Sequence, residues 1–249
     1  MRRSVSPSDD LNLGLSIGDL MAALLLIFVL VLATALMELQ KEFRERAAEA
    51  VVIKQTVETY KQVQDDLYEA LYDEFKDDLV IWNAELERST LIFRFKEPEV
   101  LFEVGKATLR PRFTRILDDF FPRYVRTLRD PRFRDRISEV RLEGHTSPEW
   151  LGTSTPEEAY FENMRLSQDR TRAVLQYVLG TIGPGEERDW CLEKIAAIGL
   201  SSSRPPRDSN RRVVDDYTRW RRVEFRVMLD LAERLASQET VAVGRGSGE

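Results

Sequence analysis

SIGDLMAALLLIFVLVLATALM, Ser16–Met37, is the stretch that sets the architecture of the chain. From Leu20 to Met37 about 18 residues carry no charge, and counting from Leu11 extends the apolar run to about 27 with Asp19 as its sole ionisable group; about 20 suffice to span a bilayer. The spacing predicts one transmembrane helix over 11–37, preceded by a short segment, 1–10. Arg2 and Arg3 precede the span, whereas Glu38, Lys41, Glu42 and Arg44 follow it, so the positive-inside rule expects a cytoplasmic N-terminus and everything after Met37 on the far side. Ala33-Thr34-Ala35 resembles the small-residue cleavage site of a signal peptide, an alternative reading. The long acid-containing region ahead of the apolar run, and Asp19 itself, speak against cleavage.

Asp19 lies about 9 Å inside the span, counted from Leu13 at about 1.5 Å per residue. An ionised carboxylate deep in a bilayer costs about 2.5 to 3.5 kcal/mol, so such groups face a partner helix or a water-filled path. A position at the headgroup level is the alternative. A half-buried acid can bind and release a proton, and a charge crossing the field gains about 2.3 kcal/mol per 100 mV. Asp19 is therefore the expected carrier of a proton or another cation, H⁺ or Na⁺. One helix cannot enclose an ion path, which calls for a second, multi-spanning subunit.

Composition limits the chemistry of the rest. In 249 residues, 43% hydrophobic and 32% charged content suits a folded protein. A net charge of -6 argues against a nucleic-acid partner, because phosphates need a basic surface. One cysteine, Cys191, and one histidine, His145, leave no disulfide framework and no Cys- or His-rich metal site. With no nucleotide-binding glycine loop and no nucleophile–base arrangement either, the chain is not expected to be an enzyme, and no cofactor or metal is expected.

From Glu38 to Glu87 there is no glycine or proline, and Val57, Tyr60, Val63, Leu67, Leu71, Phe75, Leu79, Trp82 and Leu86 recur every three or four residues. This predicts a helical stalk over 38–87. Pairing with a second copy as a coiled coil is the expectation, and packing on the following domain the alternative.

A domain is expected over 88–235, ahead of a loose tail, 236–249. Ser89–Lys96, STLIFRFK, alternates like a strand, and Pro111 opens a helix with Phe113, Ile116, Leu117, Phe120 and Phe121 on one side. Ile137–Glu143 reads as a strand, a loop runs to about Glu157, and a helix follows from about Glu158 to Leu179 with Gly180 as its stop. KIAAIGL and RRVEFRVML supply two more strands. The order makes an α+β fold, a mixed sheet with helices on one face.

On the second helix Thr171, Val174, Leu175 and Val178 should meet the sheet. Asn163, Ser167 and Arg170 share another flank near the helix N-terminus, where anions are favoured. Arg170 suits a bidentate carboxylate, with a surface salt bridge to Asp169 or Glu162 as the alternative. His145 is expected to be a satisfied structural histidine.

Three sets of motifs carry resemblances. DLMAALLLIFVLVL resembles the transmembrane segment of MotB-type stator subunits, which implies that Asp19 carries the ion. LFEVGKATLRP, EGHTS, NMRLSQDRTRAVLQYV, GLSSSRPP and RRVEF are similar, in order, to the motifs of OmpA-like peptidoglycan-binding domains. Trp220 stands where their last motif has asparagine. The resemblance implies wall contacts from Thr146, Ser147, Asn163, Leu166, Ser167, Arg170 and Arg222. It also implies an aspartate at position 147, pairing with the ammonium of the stem peptide; Ser147 carries no countercharge, and Glu149 is a substitute. EGHTSPEW and YFENMRLSQDRTRAVL resemble the B subunits of Zorya anti-phage defence systems more than flagellar MotB.

These resemblances imply an ion-driven stator subunit of the bacterial inner membrane, its C-terminal domain in the periplasm and bound to peptidoglycan. A dimer of the chain would sit inside a ring of MotA-like or Zorya A-type subunits. A flagellar stator subunit and a passive OmpA-like wall anchor are the alternatives.

Overall fold

The computed structural model describes residues 7–96, 101–103, 105–152, 155–208 and 210–230, with side chains from Asp19 onward. The expected tail, 236–249, and the first six residues lie outside the described residues. The chain divides into two units, Met1–Gln55 and Thr56–Glu249.

Helix α1 is Pro7–Phe75. Within the first unit, the side chains from Leu20 to Met37 are exposed along the helix, and α1 is long and apolar enough to cross a membrane. Such a surface suits lipid rather than water.

The second unit begins with the last turns of α1. Leu67, Leu71 and Phe75, one turn apart, are fully buried in the core of this unit. The Phe75 ring lies 5.4 Å from Phe93 and 5.2 Å from Phe120. This part of the apolar stripe is covered by the same chain, so the expected pairing with a second copy gives way here to packing on the domain. The expected helix to Glu87 is also corrected. After Phe75 come a short helix α2, Asp78–Ile81, and strand β1, Ala84–Glu87, separated by Asn83 with φ of 51°. A left-handed asparagine ends helical propagation. Arg88 then folds the hairpin back on α1, pairing with Asp65 at 2.9 Å and Glu69 at 2.5 Å and covering the Tyr68 ring at 4.7 Å.

Strands β2 (Ile92–Phe95), β3 (Ile137–His145), β4 (Ile195–Gly199) and β5 (Arg222–Leu229) complete a five-stranded sheet of order β1-β2-β5-β3-β4. Only β3 and β4 are parallel among the paired strands; β5 runs antiparallel to both of its neighbours. Phe93, Phe95, Val140, Leu142, Val223, Phe225 and Val227 point to one face and are buried under helices.

Helix α3, Pro111–Leu128, opens with proline, whose missing N–H costs nothing at that position, and buries all five of the apolar residues expected there. Helix α4 is Pro156–Thr181, running one residue past the expected stop at Gly180, with Thr171, Val174 and Val178 buried. Its N-terminus is closed by a reciprocal cap: the Glu158 N–H donates to Thr155 Oγ1 at 3.2 Å and the Thr155 N–H to Glu158 Oε2 at 3.2 Å. A further helix, α5, Glu186–Lys194, buries Cys191 and was not anticipated from the sequence.

Candidate binding groove and the charged layer behind it

Two glycines bring α4 against the sheet. Gly144 on β3 and Gly199 on β4 are register partners beneath the helix. A Cβ on Gly144 would meet Ser167 O and Thr171 Cγ2 at 2.8 Å, and one on Gly199 would meet Gln168 N at 2.4 Å. Both separations are shorter than side chains tolerate, so glycine is what lets the backbones approach. Ser167 then bridges helix and loop, donating to Met164 O at 2.9 Å and accepting from the Ser201 N–H at 3.1 Å.

This close seating opens a groove of about 960 Å³ between α4, the loop after β3 and the loop before β5. Thr146, Ser147, Asn163, Leu166 and Arg170, expected from the sequence to act together, all line it. Asn163 Nδ2 donates to Glu149 O at 3.0 Å and so fixes the loop carrying Ser147 and Glu149. Arg170 Nε donates to Lys106 O at 2.9 Å, and its guanidinium covers the Phe102 ring at 4.9 Å. Burial, together with the nearby Arg221 charge, pushes Arg170 down to about 10. The alternative salt bridges for Arg170 are not formed: Glu162 pairs with Arg165 at 2.7 Å and Asp169 with Arg172 at 2.9 Å.

Three expectations are corrected. Ser167 is fully buried between α4 and Ser201, so it holds the groove's wall without lining it. Arg222 does not line the groove either; it points to the other face of the sheet, where it donates to Glu224 Oε1 at 2.6 Å and to the Trp220 and Arg204 carbonyls at 3.0 and 3.1 Å. The flank of Asn163 and Arg170 is not at the helix N-terminus: α4 starts at Pro156, its first turn is capped by Thr155 and Glu158, and Asn163 lies about two turns inside, although Thr155 and Pro156 themselves border the groove.

Phe102, Trp150, Leu151, Tyr217 and Arg221 also line the groove and were not anticipated. Leu151, at the rim of the groove, is 98% exposed. Tyr217 packs edge-on against Trp220 at 5.4 Å, and Trp220 Nε1 donates to Val214 O at 2.7 Å, which anchors the loop.

The face of the sheet opposite the helices holds a buried ionic layer. Glu224, at 1% exposure, receives Arg94 and Arg222 at 2.6 Å each, and Glu143 receives Arg226 at 3.1 Å. Burial alone would raise the Glu224 carboxyl, but His145, Arg222 and Arg94 outweigh it and hold Glu224 well below the usual carboxylate range. Glu143 is lowered in the same way, against burial, by His145 and Arg226. His145 Nε2 lies 3.5 Å from Glu224 and 3.7 Å from Glu143, too long for hydrogen bonds. Among the described residues neither imidazole nitrogen finds a hydrogen-bond partner, so the expectation of a satisfied histidine is corrected: His145 is buried between two carboxylates without a hydrogen bond to either.

Glu143, His145 and Glu224 could in principle hold a metal ion. Arg226 already covers both carboxylates, at 3.3 Å from Glu143 Oε2 and 3.6 Å from Glu224 Oε2, and a second cation there would meet three guanidinium groups. The geometry fits a charge-compensated layer better than a metal centre.

Comparison with known proteins decides the family. Over 213 residues the chain is 44% identical to Zorya protein ZorB of Escherichia coli, covering 86% of each. The chain belongs to the Zorya ZorB family. No family model matches it. Solved structures similar to this ZorB-family chain include a MotB-like protein of Desulfovibrio vulgaris, with a TM-score of 0.48 at 21% identity over 69% of this chain and 96% of that one. The cell wall anchor of the T6SS from Pseudomonas aeruginosa has a TM-score of 0.44 at 21% identity, over 64% and 97%. The periplasmic domain of Helicobacter pylori MotB has a TM-score of 0.44 at 13% identity, over 66% and 91%. The ZorB assignment rests on the Escherichia coli relative.

Proposed function

We propose that the chain is the wall-anchored, ion-carrying stator subunit of a Zorya anti-phage defence complex. One observation carries the anchoring half: Thr146, Ser147, Asn163, Leu166 and Arg170, from two separate segments, converge on one groove. The groove's aromatic, apolar and guanidinium lining suits a peptidoglycan stem, with Arg170 directed at a carboxylate.

The ion-carrying half is supported by Asp19 at the start of the exposed apolar stretch of α1. In this reading Asp19 takes up H⁺ or Na⁺ at the interface with a multi-spanning Zorya A-type or MotA-like subunit. The N-terminus lies in the cytoplasm, and a pair of copies works inside the ring. Ion passage then does work against a subunit held still by the wall.

Two variants test the two halves separately. Asp19→Asn should abolish protection of cells against phage while the protein still reaches the membrane and pellets with purified peptidoglycan. Full protection by Asp19→Asn would overturn the ion-carrying role and leave a passive anchor. Arg170→Ala should lose most pelleting with peptidoglycan, about tenfold or more for a lost charge-assisted bidentate contact. Undiminished pelleting would remove Arg170 from the site.

A further inference from the structure

Thr146 carries a polar group that the folded chain leaves unmet. It is 3% exposed and lines the groove, and its buried Oγ1 has no hydrogen-bond partner among the described residues. Its backbone is fixed, because the Thr146 N–H donates to Ser201 O at 3.0 Å. The hydroxyl therefore cannot escape to solvent without moving the end of β3. A buried hydroxyl without a partner costs stability in the empty protein, and a ligand that supplies the partner recovers it. Ser147 adds a second, neutral hydroxyl to the same lining.

The same lining offers open apolar surface. Trp150 and Leu151 follow in the loop after β3, and Tyr217 comes from the loop before β5. Leu151 is almost wholly exposed, and Tyr217 keeps 38% of its surface open while packing against Trp220. Phe102 offers no such face, since it is fully buried and lies beneath the Arg170 guanidinium. At about 960 Å³ the groove stands near the top of the range for small-molecule sites, about 300 to 1,000 Å³, and exceeds what one stem residue fills.

Resting on the wall-binding reading above, we propose that Thr146, Trp150 and Tyr217 form a saccharide subsite, which takes an N-acetylated sugar of the glycan strand beside the stem. A pyranose ring has hydroxyls at its edge that both donate and accept, and a face made of C–H groups. The Thr146 and Ser147 hydroxyls match the edge. The electron-rich faces of Trp150 and Tyr217 match the C–H face, whose hydrogens carry slight positive charge, and the acetyl methyl covers Leu151. A stem peptide alone leaves that aromatic rim in water. None of these contacts pairs two charges, so the contribution of the sugar is insensitive to salt.

The test uses the full chain in detergent micelles and two soluble probes, a disaccharide–stem fragment and the same stem peptide without sugar. The fragment should bind about fivefold or more tighter than the free stem, at low and high salt alike. Trp150→Ala should narrow that gap to within about twofold, and Trp150→Phe, which keeps a ring, should keep part of it. Thr146→Val should weaken the fragment about two- to tenfold without lowering the denaturation midpoint, because the hydroxyl it removes is unmet in the empty protein. Equal affinity of the wild-type chain for both probes, with insoluble wall still pelleted, would overturn the saccharide subsite and leave the wall-binding reading standing. A gap that salt abolishes, or that survives Trp150→Ala intact, would overturn it as well. Failure to bind either probe or to pellet wall would overturn both readings. If Trp150→Ala does not fold, the salt series and Thr146→Val carry the same decision.

Discussion

Glu224 shows how one residue can serve sheet and loop at once. It sits on β5, at the middle of the sheet, and its carboxylate gathers Arg94 from β2, Arg222 from its own strand and the His145 imidazole from β3. Arg222 in turn holds the Trp220 and Arg204 carbonyls, so the loop that brings Tyr217 and Arg221 into the groove is moored to this carboxylate. Removing one partner of a buried ionic cluster leaves the others unpaired, which costs about 3 to 5 kcal/mol. Glu224→Gln should lower the denaturation midpoint accordingly.

The sign of the acid dependence follows from the lowered carboxyl groups of Glu224 and Glu143. A carboxyl held below its unfolded value of about 4.3 contributes stability that is fully present above that pH and is lost as pH falls toward the folded value. Melting temperature should therefore show no loss from these groups between pH 7 and about 5 and fall below about pH 4. Glu224→Gln should flatten that acid limb; an unchanged limb would place the acid sensitivity elsewhere. The sequence offered Arg222 as a ligand contact because it resembled a motif residue, yet strand alternation already placed it with Glu224 and Arg226, opposite Val223 and Phe225. What the alternation could not convey is that this second face would also be buried, since the loop that covers it reads as plain polar sequence.

At the scale of elements, the long helix carried the clearest periodicity and the least accurate boundary. AELE, residues 84–87, consists of good helix formers, and its pairing as β1 comes from the hairpin: Leu86 lies opposite Phe93 and Glu85 opposite Arg94. Local propensity loses there to tertiary pairing. The converse holds for α3, where the spacing of apolar residues alone marked the buried face correctly, whereas on α4 Leu175 is only half-buried and Ser167 and Arg170 join Thr171, Val174 and Val178 among the buried residues. Helix α5 escaped notice because its only buried side chain is Cys191 and it presents no apolar stripe. The final turns of α1 belong to the domain core, so Leu71→Ala should destabilise the domain by about 2 to 5 kcal/mol, as for a fully buried leucine, measured by chemical denaturation. A loss under 1 kcal/mol would mean that those turns sit on the domain without supporting it.

Across the whole molecule, the convergence of five expected groove residues on one cleft was legible because each motif keeps its chemistry in sequence, whereas the aromatic and cationic rim around them depends on the path of the loop before β5. That loop leads into the strand on which the sheet turns. β5 lies between β2 and β3, so residues 84–95 and 137–199 have no direct strand pairing with each other, and within the sheet only β5 joins them. A chain cut short after Arg221 should lose the cooperative unfolding transition of the domain and be digested rapidly by protease, while retention of a sharp transition would show that the two halves assemble without it. A ribosome releases the outer pieces long before their keystone, so the nascent polypeptide waits with two unsatisfied strand edges until its last strand among the described residues emerges. Closure of the sheet is thereby deferred until β5 has been made, and translation interrupted before it leaves two separate pieces.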